Sequence, residues 1–237
     1  MKIKNCRYVF SVTAIALLLI LINGCKKDNE NPYQVVADID GNIYQTIKIG
    51  NQEWMVENLK TKRYRNGDSI YYMPDNQKWA QTGLGAWCYP ENNSANDKIY
   101  GKFYNGYAVV DSRNIAPEGW HVPTAAELWT LNLYISEHPG VSVAVAKALA
   151  DIKHWYISST VNTPGNDMTT NNASGFSALP GGLRRPGGDF GFDSFEKDGY
   201  WWSTDEMVWN LNYNNTDVNV IYEGNKNFGY SVRCIKD

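Results

Sequence analysis

Past residue 37, only two stretches of this 237-residue chain carry a helical apolar period, and Gly, Asn and Pro cut the rest into short runs. That imbalance limits the chain to a loop-rich mixed or mostly β domain, with its helices lying on a sheet. In the first stretch, Thr124-Ala125-Ala126-Glu127 has the spacing of a capping box: the Thr124 side chain accepts from first-turn N–H groups while Glu127 reaches back to the Thr124 N–H. Leu128, Leu131 and Ile135 follow at helical spacing, and His138-Pro139-Gly140 stops the run. The second helix, about 142–153, presents Val145, Ala148, Leu149 and Ile152 on one stripe.

Strand signals fill the remainder. Residues 43–56 read as a hairpin turning at Gly50-Asn51, with Ile43, Gln45, Ile47 and Ile49 on one face and Tyr44, Thr46 and Lys48 on the other. SIYYM (69–73) is β-like, Pro74–Lys98 reads as a long polar segment, and IYGKFYNGYAVVD (99–111) as extended chain. Residues 161–175 are a loop by every breaker rule, and 176–191 have little regular structure beyond their first few positions. YWWST, VWNLNY, DVNVIY and FGYSVRCI return the last third to strands, and no internal repeat interrupts this order. A composition with 14% aromatic residues, including 9 Trp and 16 Tyr, fits strands better than helices. About 200 residues are enough for one substantial core.

The N-terminal segment stands apart. Lys2, Lys4 and Arg7 precede an apolar run from Val9 to Ile22, shorter than the roughly 20 residues of a membrane-spanning helix, so residues 1–24 read as an export signal. Leu21-Ile22-Asn23-Gly24-Cys25 resembles the lipobox of bacterial lipoproteins. The resemblance implies that Cys25 becomes the acylated N-terminus and anchors the chain to a membrane. Residues 25–37 would be a flexible tether and 38–237 one domain. Lys26-Lys27-Asp28-Asn29-Glu30 is also similar to the acidic signal that sends some lipoproteins to the outer membrane's outer face. The expected location is therefore an outer-membrane lipoprotein, periplasmic or surface-exposed.

Removing residues 1–24 deletes three basic groups and no acids, which moves the formal charge from −3 to −6. A mildly acidic domain repels phosphate backbones, and the one basic run, Leu59–Arg65, reads as a solvated edge, so nucleic acid is not an expected partner. With Cys6 in the signal and Cys25 acylated, Cys88 and Cys234 remain. In an oxidising compartment they form either a disulfide across a loop of well over 100 residues or two buried thiols.

Candidate chemistry is sparse. His121, just ahead of the capped helix, has neither an HxH nor an HExxH partner, so it reads as a structural corner, with the helix N-terminus lowering its basicity. No nucleophile elbow, phosphate loop or CxxC is present. Asn166, Asp167 and Asn171, in an Asn-rich loop, offer the hard oxygens that calcium prefers, or an ordinary polar turn. Trp201, Trp202 and Trp209 with Arg184 and Arg185 offer a ligand platform, since Trp faces stack on sugar C–H groups while Arg donates to hydroxyls. Alternation in YWWST predicts that one Trp is core and the other more exposed.

The blocks IGNQEWMVENLK, YGKFYNGYAV, APEGWHVPTAAELWTL, FSALPGGLR, GYWWST and GYSVRCIKD, in that order, resemble the Fibrobacter succinogenes major paralogous domain family from about Asp38 to Asp237. That family has no established activity. More distantly, HVPTAAELWTL is similar to a block of formylglycine-generating-enzyme-like domains, and the Trp-rich segment before a closing strand ending in Cys is similar to C-type-lectin-like folds. The resemblance implies an α+β, C-type-lectin-like architecture, two helices on twisted, mostly antiparallel sheets with long loops. The favoured reading is a noncatalytic cell-surface or periplasmic binding domain for glycan or protein ligands, recognised through loops near 162–210. The alternatives are a carbohydrate-active or formylglycine-generating-enzyme-like enzyme, and a structural envelope lipoprotein. The chain departs from the enzyme in offering Cys234 alone where a cysteine pair is needed, and from sugar-binding lectins in lacking Glu-Pro-Asn and Gln-Pro-Asp.

Overall fold

A computed structural model describes residues 34–138, 143–187 and 191–237. The expected export signal, Cys25 and the tether as far as residue 33 lie outside them. The strands in chain order are β1 (Gln34–Ala37), β2 (Ile43–Ile49), β3 (Gln52–Met55), β4 (Tyr71–Tyr72), β5 (Ala86–Cys88), β6 (Phe103–Asn105) and β7 (Trp120–His121). They continue as β8 (Leu183–Arg184), β9 (Phe192–Asp193), β10 (Asp198–Trp202), β11 (Met207–Asn212), β12 (Asn219–Tyr222), β13 (Gly229–Tyr230) and β14 (Ile235–Lys236). The helices are α1 (Asn76–Gln81), α2 (Asp97–Tyr100), α3 (Gly106–Val109), α4 (Ala125–Glu137) and α5 (Val145–Leu149).

Three sheets result: a five-stranded one in the order β1-β2-β3-β14-β7, a six-stranded one in the order β4-β5-β6-β13-β8-β9, and the three-stranded β10-β11-β12. Their pairings are antiparallel except between β4 and β5. The fold is α+β and mostly β. Strand β1 already pairs with β2, so the end of the expected tether belongs to the sheet.

The hairpin forms as its turn chemistry dictates. Ile49 faces Gln52 across Gly50-Asn51, and Gly50 takes a positive φ of 62° where a Cβ would press on the Tyr134 ring. Alternation holds at its start, with Tyr44 and Thr46 buried while Ile43 is 67% exposed. Tyr44 goes inside because its hydroxyl is satisfied there, donating to Asp38 Oδ2 at 2.6 Å and accepting from the Lys60 N–H at 2.8 Å.

Helix α4 has its capping box, with both Thr124 and Glu127 bonds in place. It buries Leu128, Leu131 and Ile135 against Trp54, Leu149 and Trp209, each side chain contributing about 1.5–3 kcal/mol of apolar burial. Helix α5 is shorter than its sequence pattern. The backbone turns extended at Ala150 to bridge Ala178, with the Asp151 N–H donating to the Ala178 carbonyl at 2.8 Å, and Ile152 is left exposed. The expected polar stretch 74–98 is instead structured. Asp75 caps α1 by accepting from the Lys78 N–H, α1 buries Trp79, and β5 lies fully inside. Residues 99–111 are extended only over β6, because Asn105 then caps α3 by accepting from the Ala108 N–H at 3.0 Å.

Candidate functional site

The residues expected to form an aromatic platform are core. Trp201, Trp202 and Trp209 are no more than 2% exposed. Alternation does put Trp201 and Trp202 on opposite faces of β10, but both faces are covered. Trp201 and Trp209 pack with Trp54, Phe176 and α4, while Trp202 packs with Tyr104, Tyr230 and Val232. Their indole N–H groups are satisfied internally, Trp201 donating to Asn58 Oδ1 and Trp202 to the Tyr104 carbonyl, each at 2.9 Å. Arg184 is also buried, donating to the carbonyls of Met73 and Pro74 at the start of α1, and its guanidinium lies 4.4 Å from the Trp79 ring centroid. Arg185 is on the surface, paired with Asp193 at 2.6 Å.

The expected calcium loop already holds a cation. The buried Lys147 ammonium donates to the main-chain carbonyls of Thr163, Asn166 and Asp167 and to Asn171 Oδ1 at 2.8 Å. Asn171 Nδ2 donates to the carbonyls of Asp151 and Pro164, which fixes the amide. Burial holds the Lys147 pKa below its ordinary value. The polar loop therefore gathers its oxygens around a side-chain charge.

The cysteines are not bridged. Cys88 and Cys234 are free and buried, Cys88 with Trp79, Ala86 and Phe103, and Cys234 in the cluster of Tyr44 and Val232. Burial pushes the Cys88 thiol up to about 11 and raises Cys234 further, so neither is a ready nucleophile.

His121 is a corner between β7 and α4. Its Nδ1 lies 2.7 Å from Asp237 Oδ1 and its Nε2 2.9 Å from Glu127 Oε1, the carboxylate that also serves the capping box. With both ring nitrogens engaged, no lone pair is free for a metal or a substrate. Burial alone would lower the imidazole pKa, but hydrogen bonds to Asp237 and Glu127 overcome it and raise the pKa, contrary to the expectation from the helix N-terminus.

An open, chemically equipped site lies elsewhere, at the edge strand β4. A cleft of about 410 Å³ opens between β4, the turn Gly83-Leu84-Gly85 and the chain after α3. That volume falls within the usual range for small-ligand sites, about 300–1,000 Å³. Alternation divides the two strand residues. Tyr72 stacks on Trp87 at 4.6 Å between centroids, and Tyr71, 57% exposed, lines the cleft. Tyr107 and the exposed Leu84 are further apolar walls. Asn105 fixes the turn to α3 by accepting from the N–H groups of Ala86 and Ala108 and donating to the Leu84 carbonyl. Gly85 has to be glycine, since a Cβ there would collide with the Tyr64 hydroxyl and lie 3.0 Å from Ala108 Cα.

The polar end of the cleft is an ion-pair triad. Arg113 grips Asp111 through Nε and Nη2 at 2.9 and 2.8 Å, and reaches Asp68 through Nη1 at 3.1 Å. Its guanidinium carbon lies over the Tyr64 ring, 4.0 Å from the centroid. The Arg113 hydrogen bond holds Asp111 down at about 2; bonds from Asn66 and then Arg113 hold Asp68 below the carboxylate range. The buried Tyr64 hydroxyl has no hydrogen-bond partner among the described residues, and burial with the Asp111 charge pushes it up to about 12. Two phenol rings beside a fixed acceptor–donor fork can stack on a sugar ring and bond its hydroxyls.

None of these residues stood out in the sequence reading. The signals were there as Tyr71-Tyr72 in an alternating run, glycines on both sides of Leu84, and Asp111 and Arg113 two apart. No curated protein and no solved structure matches this chain. The family described as the Fibrobacter succinogenes major domain matches residues 47–236, and the chain belongs to that family.

Proposed function

We propose that this chain is a lipid-anchored, noncatalytic binding domain of the bacterial envelope that takes a glycan in the cleft of Tyr71, Tyr107, Asp111 and Arg113. The observation that carries the reading is the pairing of open tyrosine rings with a preorganised carboxylate–guanidinium fork over a glycine floor. A C-type-lectin-like architecture is part of the proposal. It is supported by the way the closing strand β14 returns to lie beside β3, leaving long loops to build a surface. The free, deeply buried thiols favour a noncatalytic role over an oxidase-like one. Anchoring through Cys25 in the outer membrane rests on the apolar run and the Gly24-Cys25 junction.

The test is thermal unfolding and direct binding of the full chain against plant, host and bacterial glycans, beside the Tyr71→Ala variant. Stabilisation by one glycan class that disappears in the variant is the expected result. Stabilisation by no glycan, or equal stabilisation of both proteins, would remove the cleft from consideration and favour a protein ligand or a structural role. For the anchor, the mass of membrane-extracted protein is expected to start at Cys25 with acyl chains added; an unmodified Cys25 would end that part of the proposal.

A further inference from the structure

We infer that the cleft selects neutral glycans over anionic ones, and that Asp68 is the residue that sets this selectivity. The inference rests on the glycan reading of the same cleft. An arginine in a sugar site ordinarily attracts uronates and other acidic sugars, because its fork matches a carboxylate. Here the fork is closed. Nε and Nη2 are spent on Asp111, and Asp68 takes a hydrogen of Nη1, so three of the five N–H groups of Arg113 are bound to carboxylates before any ligand arrives. Arg113 against Asp68 and Asp111 leaves one net negative charge, and the Lys226 ammonium beside Tyr107 is itself neutralised by Glu206 at 2.8 Å.

What the triad still offers is acceptance. Asp68 Oδ2 receives Asn66 Nδ2 and Arg113, whereas Oδ1 has no donor among the described residues. Carboxylate oxygens accept and never donate, so a vicinal pair of hydroxyls satisfies them and an incoming carboxylate does not. Asp111 lines the cleft directly, and the half-exposed Asp68 adjoins it through its ion pair with the cleft-lining Arg113.

The experiment pairs sugars that differ only at C6. Neutral hexose oligosaccharides and the corresponding hexuronate oligosaccharides of the same linkage are titrated into the full chain and into Asp68→Asn. Folding of the variant is checked by its melting temperature, since Asp68 is on the surface. The native chain is expected to bind the neutral member about tenfold or more tightly, the scale of one partly screened like-charge contact. Asp68→Asn removes one negative charge while keeping an amide oxygen that can accept from Arg113, so the preference should shrink by at least about threefold, with the gain on the uronate side. Equal or tighter binding of the uronate by the native chain would overturn the inference and leave the glycan reading intact. An unchanged ratio in Asp68→Asn would remove Asp68 from the role. Binding of neither member of any pair would take the glycan reading down and the selectivity with it.

Discussion

The domain has two aromatic-and-cation regions that differ in one respect. Around β10 and β11 the cations and the Trp201 and Trp202 indoles have internal partners: Trp201 and the buried Arg233 share Asn58 Oδ1, with Arg233 Nη2 at 2.8 Å, and Lys147 is surrounded by oxygens. Around β4 the same ingredients stand open. Tyr71 and Asp68 are exposed, and Asp68 Oδ1 has no donor among the described residues. Aromatic density therefore does not identify a binding surface. What identifies it is polar capacity left unfilled beside rings left uncovered.

The sharpest way to break this contrast is on the closed side. Trp201→Ala should cost about 3–5 kcal/mol in denaturant unfolding, because it opens a cavity between two packed faces and strips a donor from Asn58. A cost under about 1 kcal/mol would show that the region is not closed at all. Lys147→Met comes next. It leaves several carbonyls without their donor and should lower stability by about 1–3 kcal/mol. Adding calcium should not restore the loss, and chelator should not move the melting temperature of the native chain. Recovery with calcium would return the loop to the metal reading.

His121 gives a smaller, pH-dependent effect. The clamp is complete where Glu127 is ionised and His121 charged, from the ordinary glutamate value of 4.5 up to the ordinary histidine value of 6.5. Above that window its contribution is lost as pH rises through the raised histidine pKa, and below it as pH falls through the lowered glutamate pKa. The site is partly solvent-screened, so His121→Gln should lose less than about 1 kcal/mol at pH 5.5, with the gap to the native chain narrowing toward pH 9. A gap that does not change with pH would mean that packing, not charge, holds the corner. Tyr71→Ala should change stability least, within about 0.5 kcal/mol, while removing glycan binding. A large loss of stability would make the cleft another closed region.

How much was legible in the sequence follows from how local each signal is. The Thr124–Glu127 capping box, the Gly50-Asn51 turn and the strands β10 and β11 each lie within a few residues, and each forms where its pattern says, whereas FGYSVRCI splits into β13 and β14 in two different sheets. The inward faces of β2 and β10 were not readable, because β10 is covered on both sides and β2 buries a tyrosine whose hydroxyl partners, Asp38 and the Lys60 N–H, come from other segments. Helix α1 was hidden by its brevity: six residues with one buried Trp carry no readable period. The cleft was least visible. Its rings, floor and ion pairs come from four separated segments around Tyr64, Tyr71, Gly85 and Arg113, brought together by the parallel pairing of β4 with β5, by Asn105 and by the Arg113–Asp68 pair.

Lys147 has a consequence for the setting in which this domain works. A metal bound by a loop is subject to mass action, and dilution or competition can empty it. An ammonium carried on the chain's own covalent frame has a fixed stoichiometry of one and cannot dissociate. The positive charge at the centre of residues 163–171 is thereby supplied by the chain itself.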